Sequence, residues 1–103
     1  SRGEYARSLE LTQKLWDAGY RDEVTRLLHG DALMANGFLE EAAATLQGLT
    51  WAAARLEGLF WQRYWPGEDY ARAAAALSVV QLLHPERTDL QDWIQQSKEK
   101  IQP

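Results

Sequence analysis

Five short turn signals, each about one helix length from the next, constrain the fold of this chain more than any other feature. Each contains glycine or proline, and they are Ala18-Gly19, Asn36-Gly37, Gly48-Leu49-Thr50, Pro66-Gly67 and His84-Pro85. The segments between them have the apolar spacing of helices, and none alternates with period two over a useful length. We therefore predict an all-α chain of six antiparallel helices, at about residues 4–17, 22–35, 39–46, 50–65, 69–83 and 89–101.

The central turn, at Asn36-Gly37, is predicted to join two closely packed helices. Gly37 can adopt a positive φ and so end the second helix. Glu40 and Glu41 then fall in the first turn of the third helix, where the helix dipole favours acidic side chains. Gly30 and Gly58 are predicted to be the small residues at helix contacts.

Apolar periodicity also predicts which faces are buried. In the first helix the inward stripe is Tyr5, Leu9, Thr12 and Trp16, and Leu15 widens it. In the second helix it is Val24, Leu27, Leu28 and Leu33, and His29 is expected to be partly exposed. The last helix has one apolar stripe that includes Trp93 and an opposite polar face, which is typical of the helix that caps a stacked array.

Composition excludes several classes of function. A length of 103 residues predicts a single domain over 1–103. The net charge of −4 argues against general nucleic-acid binding, which needs a basic footprint. No apolar run is long enough to predict a membrane span. The absence of cysteine excludes disulfides and thiolate metal sites, and leaves the compartment open with a slight preference for the cytoplasm.

The turn at Gly37 also carries a family resemblance. A helix rich in small residues is followed by Gly37, an aromatic residue, the pair Glu40-Glu41 and alanine, and this order resembles the tetratricopeptide (TPR) helical hairpin. Residues 19–65 are also similar to the small TPR-like chaperones that hold needle subunits in bacterial type III secretion. The resemblance implies a TPR-like α-solenoid with a C-terminal capping helix, while a generic helical bundle is the alternative.

The resemblance further implies a protein-binding face. In TPR-like pairs the first helix of each pair lines the concave side, which would receive a helix or peptide of a partner protein. The fourth helix has more aromatic residues than one helix face easily buries. Two of them, Trp61 and Trp65, either bind the partner or pack beneath the last helix. The predicted partner-binding residues are Leu27, Asp31, Met34, Arg55, Leu59, Trp61, Gln62, Arg63 and Trp65.

Nothing in the sequence predicts catalysis. His29 and His84 lack further ligands at metal-binding spacing, and no phosphate-binding loop or nucleophile motif is present. We therefore predict no catalytic residues, no metal site and no cofactor. The predicted function is protein binding, as in a chaperone or adaptor. The alternative is a two-repeat fragment of a longer scaffold that associates with itself.

Overall fold

The computed structural model describes residues 2–101 and is helical, without a strand in that range. The prediction of six α-helices is therefore confirmed. Within residues 2–101, no helix has both the length and the apolar character that crossing a membrane requires. The α-helices are α1 (Arg2–Asp17), α2 (Glu23–Ala35), α3 (Leu39–Leu46), α4 (Ala52–Leu59), α5 (Tyr70–Leu83) and α6 (Leu90–Ile101), with a π-helical turn at Phe60–Tyr64 between α4 and α5.

The helices fall into two compact units. The first unit, Ser1–Leu49, contains α1, α2 and α3, and the second, Thr50–Pro103, contains the remaining helices. In the first unit α2 packs against both α1 and α3, and in the second α5 packs against both α4 and α6. The single domain over 1–103 stays a prediction.

Helices α1 and α2 form an antiparallel pair. The side chains of Thr12 and His29 lie 2.9 Å apart, and the Asn36 amide donates to the carbonyl oxygen of Tyr5 over 2.9 Å. The contact nearer the start of α1 is therefore made with the end of α2. The two helices run in opposite directions.

Two helices in the first unit end in the same glycine motif. At the end of α2, the amide of Gly37 donates to the Met34 carbonyl (3.1 Å) and the amide of Phe38 to the Leu33 carbonyl (2.9 Å). This is the Schellman arrangement, which needs a left-handed residue. Gly37 has a φ of 86°, so the predicted left-handed turn is confirmed. Gly19 ends α1 in the same way, with a φ of 95°.

Gly30 lies where α2 meets α3. A Cβ atom added to Gly30 would lie 2.7 Å from both Cγ and Cδ2 of Leu46, which is closer than carbon atoms can pack. Its predicted role at a helix contact is therefore confirmed. The matching prediction for Gly58 is wrong, because a Cβ there would meet no atom of a neighbouring element within 4 Å among the described residues.

The inward face of α2 differs from the predicted stripe. Val24 and Leu28 are exposed, whereas Thr25 and His29 are buried. Thr25 can be buried because the carboxylate of Asp22, the N-cap residue, accepts hydrogen bonds from the Thr25 amide (3.1 Å) and hydroxyl (2.7 Å). His29 is four residues further along and so lies on the same side of the helix.

The predicted fourth helix changes type after Leu59. In the π-helical turn the amide of Trp65 donates to the carbonyl of Phe60, five residues back, over 2.9 Å. Phe60 and Leu56 are fully buried, as are Leu77 and Val80 of α5, the helix against which α4 and the π-helical turn pack. The helical path thus extends to about the predicted end, but its last turn is wider than an α-helix.

Candidate protein-interaction surfaces

An exposed aliphatic face lies on the α1–α2 pair. Leu11 and Leu15 of α1 and Val24 and Leu28 of α2 expose between 39% and 64% of their surface. The two residues on each helix are four positions apart, so each pair lies on one side of its helix. Single exposed apolar residues are normal, whereas a contiguous set on neighbouring helices is typical of a binding surface.

Between these two helices runs an open groove of about 410 Å³, here called the α1/α2 groove. Its floor includes Thr12 and Ala32, which are buried, and its walls carry the exposed leucines of both helices. The lining residues are Tyr5, Ser8, Leu11, Thr12, Leu15, Leu28, Asp31, Ala32 and Ala35. The groove therefore offers a narrow apolar surface along the helix pair.

The charges around this groove are not equivalent. Arg7 and Lys14 are exposed on α1, and neither forms an ion pair among the residues that the structure describes. They precede and follow Leu11 by four and three residues, so they lie on its side of the helix. Asp31 on the opposite wall and Glu4 near the start of α1 each already have an interaction. Neither cation lines the groove, and Glu10 on α1 is likewise exposed without an ion pair among the described residues, so the unpaired charges of α1 are of both signs.

His29 lies below the groove, and only 2% of its surface is exposed, so the prediction of a partly exposed residue is wrong. Its Nδ1 atom is 2.9 Å from the Thr12 hydroxyl, which donates to the Leu9 carbonyl over 3.3 Å and so can accept from Nδ1–H. The ring stacks on Trp16 with centroids 5.1 Å apart. Burial lowers the pKa of His29, because the charged form loses hydration.

The second unit contains an aromatic cluster around the π-helical turn. The rings of Phe60 and Trp65 lie 5.6 Å apart because the i→i+5 hydrogen bond places these two residues one above the other. Trp93 of α6 meets Trp61 at 4.8 Å and Trp65 at 5.4 Å, both edge to face. Trp65 also packs edge to face against Tyr70 at 5.3 Å. The wider turn thus brings Phe60, Trp61 and Trp65 into contact with Trp93.

Of the predicted partner-binding residues, three lie in the first unit. Leu27, Asp31 and Met34 are all half-buried on α2, and their spacing of four and three residues places them on one side of the helix. Asp31 lines the α1/α2 groove, and Leu27 and Met34 are not among its lining residues. The groove thus contains one of the three.

The other six lie in the second unit. Trp61 contacts Phe60 and Trp93 and remains 48% exposed, so it packs against α6 and also keeps an exposed surface. Trp65 is half-buried in the aromatic cluster. Arg55 and Leu59 are half-buried and Gln62 and Arg63 are exposed.

An open cleft of about 400 Å³ in the second unit is lined by polar groups that already pair with one another. Arg87 bonds to Glu57 at 2.5 Å and to Asp89 at 3.0 Å, and His84 lies 3.4 Å from Glu86. These bonds raise the pKa of Arg87 and lower that of Asp89. The charges of this cleft are matched internally, which suits a structural network that holds the α5–α6 connection.

Sequence reasoning missed the leucines of the α1/α2 groove, although a signal was present. Leu11 and Leu15 lie four residues apart, and Leu11 falls outside the stripe that contains Thr12 and Trp16. A helix with apolar residues beyond its buried stripe presents a second apolar surface.

No family model, curated protein or solved structure matches this chain.

Proposed function

We propose that this chain is a protein-interaction module that binds a helix or peptide of a partner protein in the α1/α2 groove. The observation that carries the proposal is the exposed aliphatic face formed by Leu11, Leu15, Val24 and Leu28. Fully burying one such side chain contributes about 1.5–3 kcal/mol, although part of this offsets the entropy lost on association. A ligand that covers all four would therefore bind with useful affinity.

A TPR-like role as a chaperone or adaptor is part of this proposal. It is supported by the α2–α3 hairpin, in which Gly37 closes the turn and Gly30 permits close approach to Leu46. These are the features that carry the resemblance in the sequence. Within this proposal Asp31 contacts the partner directly, because it lines the groove.

The test compares substitutions in the groove with a matched substitution elsewhere. Leu11→Glu and Leu28→Glu place charges on the exposed face and should abolish capture of the partner from a lysate of the source organism, measured by quantitative mass spectrometry. Leu82→Glu is the control, because Leu82 is a 45% exposed leucine in the second unit. Circular dichroism must show that all three variants remain folded. Equal capture by the groove variants and the control would refute the proposal.

Self-association is the second candidate, because an uncovered aliphatic face also suits pairing with another copy of the chain. Sedimentation velocity separates the two. A dimer that Leu28→Glu converts to a monomer would favour self-association. A monomer in both cases would favour a foreign partner.

A further inference from the structure

We infer that protonation of His29 separates α2 from α1, so that the α1/α2 groove holds its occupant near neutral pH and releases it on acidification. The inference rests on the proposed function and adds the regulation of the same site. His29 lies on α2 below the groove and contacts α1, and the groove runs between these two helices. A change of charge on this one side chain therefore acts on the separation of the groove walls.

Two contacts of His29 join the helices. Its Nδ1 atom is 2.9 Å from the hydroxyl of Thr12, which is part of the groove lining, and its ring stacks on Trp16. The Thr12 hydroxyl donates to the Leu9 carbonyl, so Nδ1 carries the proton of the neutral ring. An added proton must therefore go to Nε2, which takes part in no hydrogen bond with another described residue.

The charged ring is unfavourable in this position. Only 2% of the His29 surface is exposed, so the imidazolium would lose most of its hydration. Trp16 also has a cation beside it already, because the guanidinium carbon of Arg21 lies 3.5 Å from the ring centre. Arg21 is held there by a 2.7 Å hydrogen bond to the Trp16 carbonyl. A protonated His29 would be a second cation against the same indole.

The other charges around His29 come from several elements. Asp17 of α1 and Glu41 of α3 favour the charged ring, whereas Arg21 in the turn before α2 disfavours it. Arg26, three residues earlier on α2, adds a further positive charge on the same side of that helix. Burial outweighs the two carboxylates, since the pKa of His29 lies below its ordinary value.

The other end of the helix pair has a contact that does not titrate. The side-chain amide of Asn36 donates to the carbonyl oxygen of Tyr5 over 2.9 Å, and neither group changes its charge in this range of pH. Acidification therefore weakens the contact at His29 and leaves the contact at Asn36 unchanged. We expect α1 and α2 to part from the His29 end.

The experiment uses the full chain and one designed peptide. The peptide has three heptads, with leucine at the core positions and glutamine elsewhere, capped ends and a rhodamine label, so it has no group that titrates between about pH 4.5 and 7.5. Binding is measured by fluorescence anisotropy across this range. The affinity should fall by up to about tenfold for each pH unit below the pKa of His29, because binding then releases one proton.

Two variants separate His29 from the other titrating groups. His29→Gln removes the titrating ring, and its affinity for the peptide should be constant across the range. His84→Gln removes the other histidine of the chain and should retain the pH dependence. Because His29→Gln also removes a buried ring, the pKa of His29 in the unmodified chain is measured as well, from its ring-proton signals in nuclear magnetic resonance spectra. The bound peptide should lower this pKa, since coupling between proton and peptide is reciprocal.

The outcomes distinguish the inference from the proposed function. Binding that Leu28→Glu abolishes, but that is constant over the pH range, would overturn the inference and keep the groove as a binding site. The same conclusion would follow if His29→Gln kept the pH dependence, or if the peptide left the pKa of His29 unchanged. If the peptide binds at no pH, the proposed function of the groove and the inference both fail.

Discussion

Adding a methyl group should stabilise the chain at Gly58 but not at Gly30. Both glycines lie inside α-helices, so alanine at either position gains about 1 kcal/mol of helix propensity. At Gly58 the methyl group enters open space, and this gain is the whole effect. At Gly30 it would lie 2.7 Å from two carbons of Leu46.

Leu46 has little room to move, because only 1% of its surface is exposed. Overpacking of such a site costs about 1–3 kcal/mol, which exceeds or cancels the gain in propensity. Because both variants share that gain, the difference between their free energies of unfolding isolates the steric cost. Gly30→Ala should therefore be about 1–3 kcal/mol less stable than Gly58→Ala.

The assay is urea denaturation followed by the indole N–H signals in nuclear magnetic resonance spectra. Trp16 reports on the first unit and Trp93 on the second, so unfolding of each unit is read separately. Gly30→Ala is then repeated in a Leu46→Ala background, where the space is open and the methyl group should stabilise by about 1 kcal/mol. If Gly30→Ala and Gly58→Ala have equal effects, the reasoning about close packing is wrong.

Three further predictions concern single residues. Gly37→Val should lower the free energy of unfolding by more than about 1 kcal/mol and Gly37→Asn by less, because asparagine tolerates positive φ; equal losses in urea denaturation would contradict this. Trp93→Ala should cost about 3–5 kcal/mol, and an unchanged denaturation midpoint would show that α6 does not dock. His29 has a pKa below its usual value in the folded chain, so the unfolded chain binds its proton more readily and stability should fall as pH drops below about 6.5. His29→Gln should flatten this slope in thermal melts, and an unchanged slope would contradict the assignment to His29.

Local signals in the sequence were sufficient for much of the fold. Gly19 and Gly37 mark helix ends because a left-handed residue is needed there, and this requirement is independent of distant residues. Thr12 is buried and Tyr5, Leu9 and Trp16 are half-buried, as their spacing predicted, although Gln13 is half-buried as well.

The failures have non-local causes. Val24 and Leu28 have the spacing of a buried stripe, but α2 turns the face with Thr25 and His29 inward, and His29 meets Thr12 and Trp16 of α1. The π-helical turn could not be read from a period of 3.6 residues. Its aromatic residues meet Trp93, which lies far along the chain.

The candidate site was only partly predictable. Asp31 was predicted and lines the groove, whereas Leu11, Leu15 and Leu28 were not predicted. Periodicity identifies surplus apolar residues, but the groove exists only because α1 and α2 pack with their leucines on the same side. That packing includes the contact between Thr12, which the spacing placed inward, and His29, which was expected to be partly exposed.

The aromatic cluster also has an optical consequence. The indoles of Trp61 and Trp65 each lie edge to face with Trp93 at ring distances of 4.8 and 5.4 Å. At such separations the electronic transitions of neighbouring indoles couple, so that an excitation is shared between rings. The chain should therefore show a paired positive and negative band in its far-ultraviolet circular dichroism, superimposed on the helical spectrum. Trp16 lies in the other unit and packs on His29, so this band reports on the second unit alone.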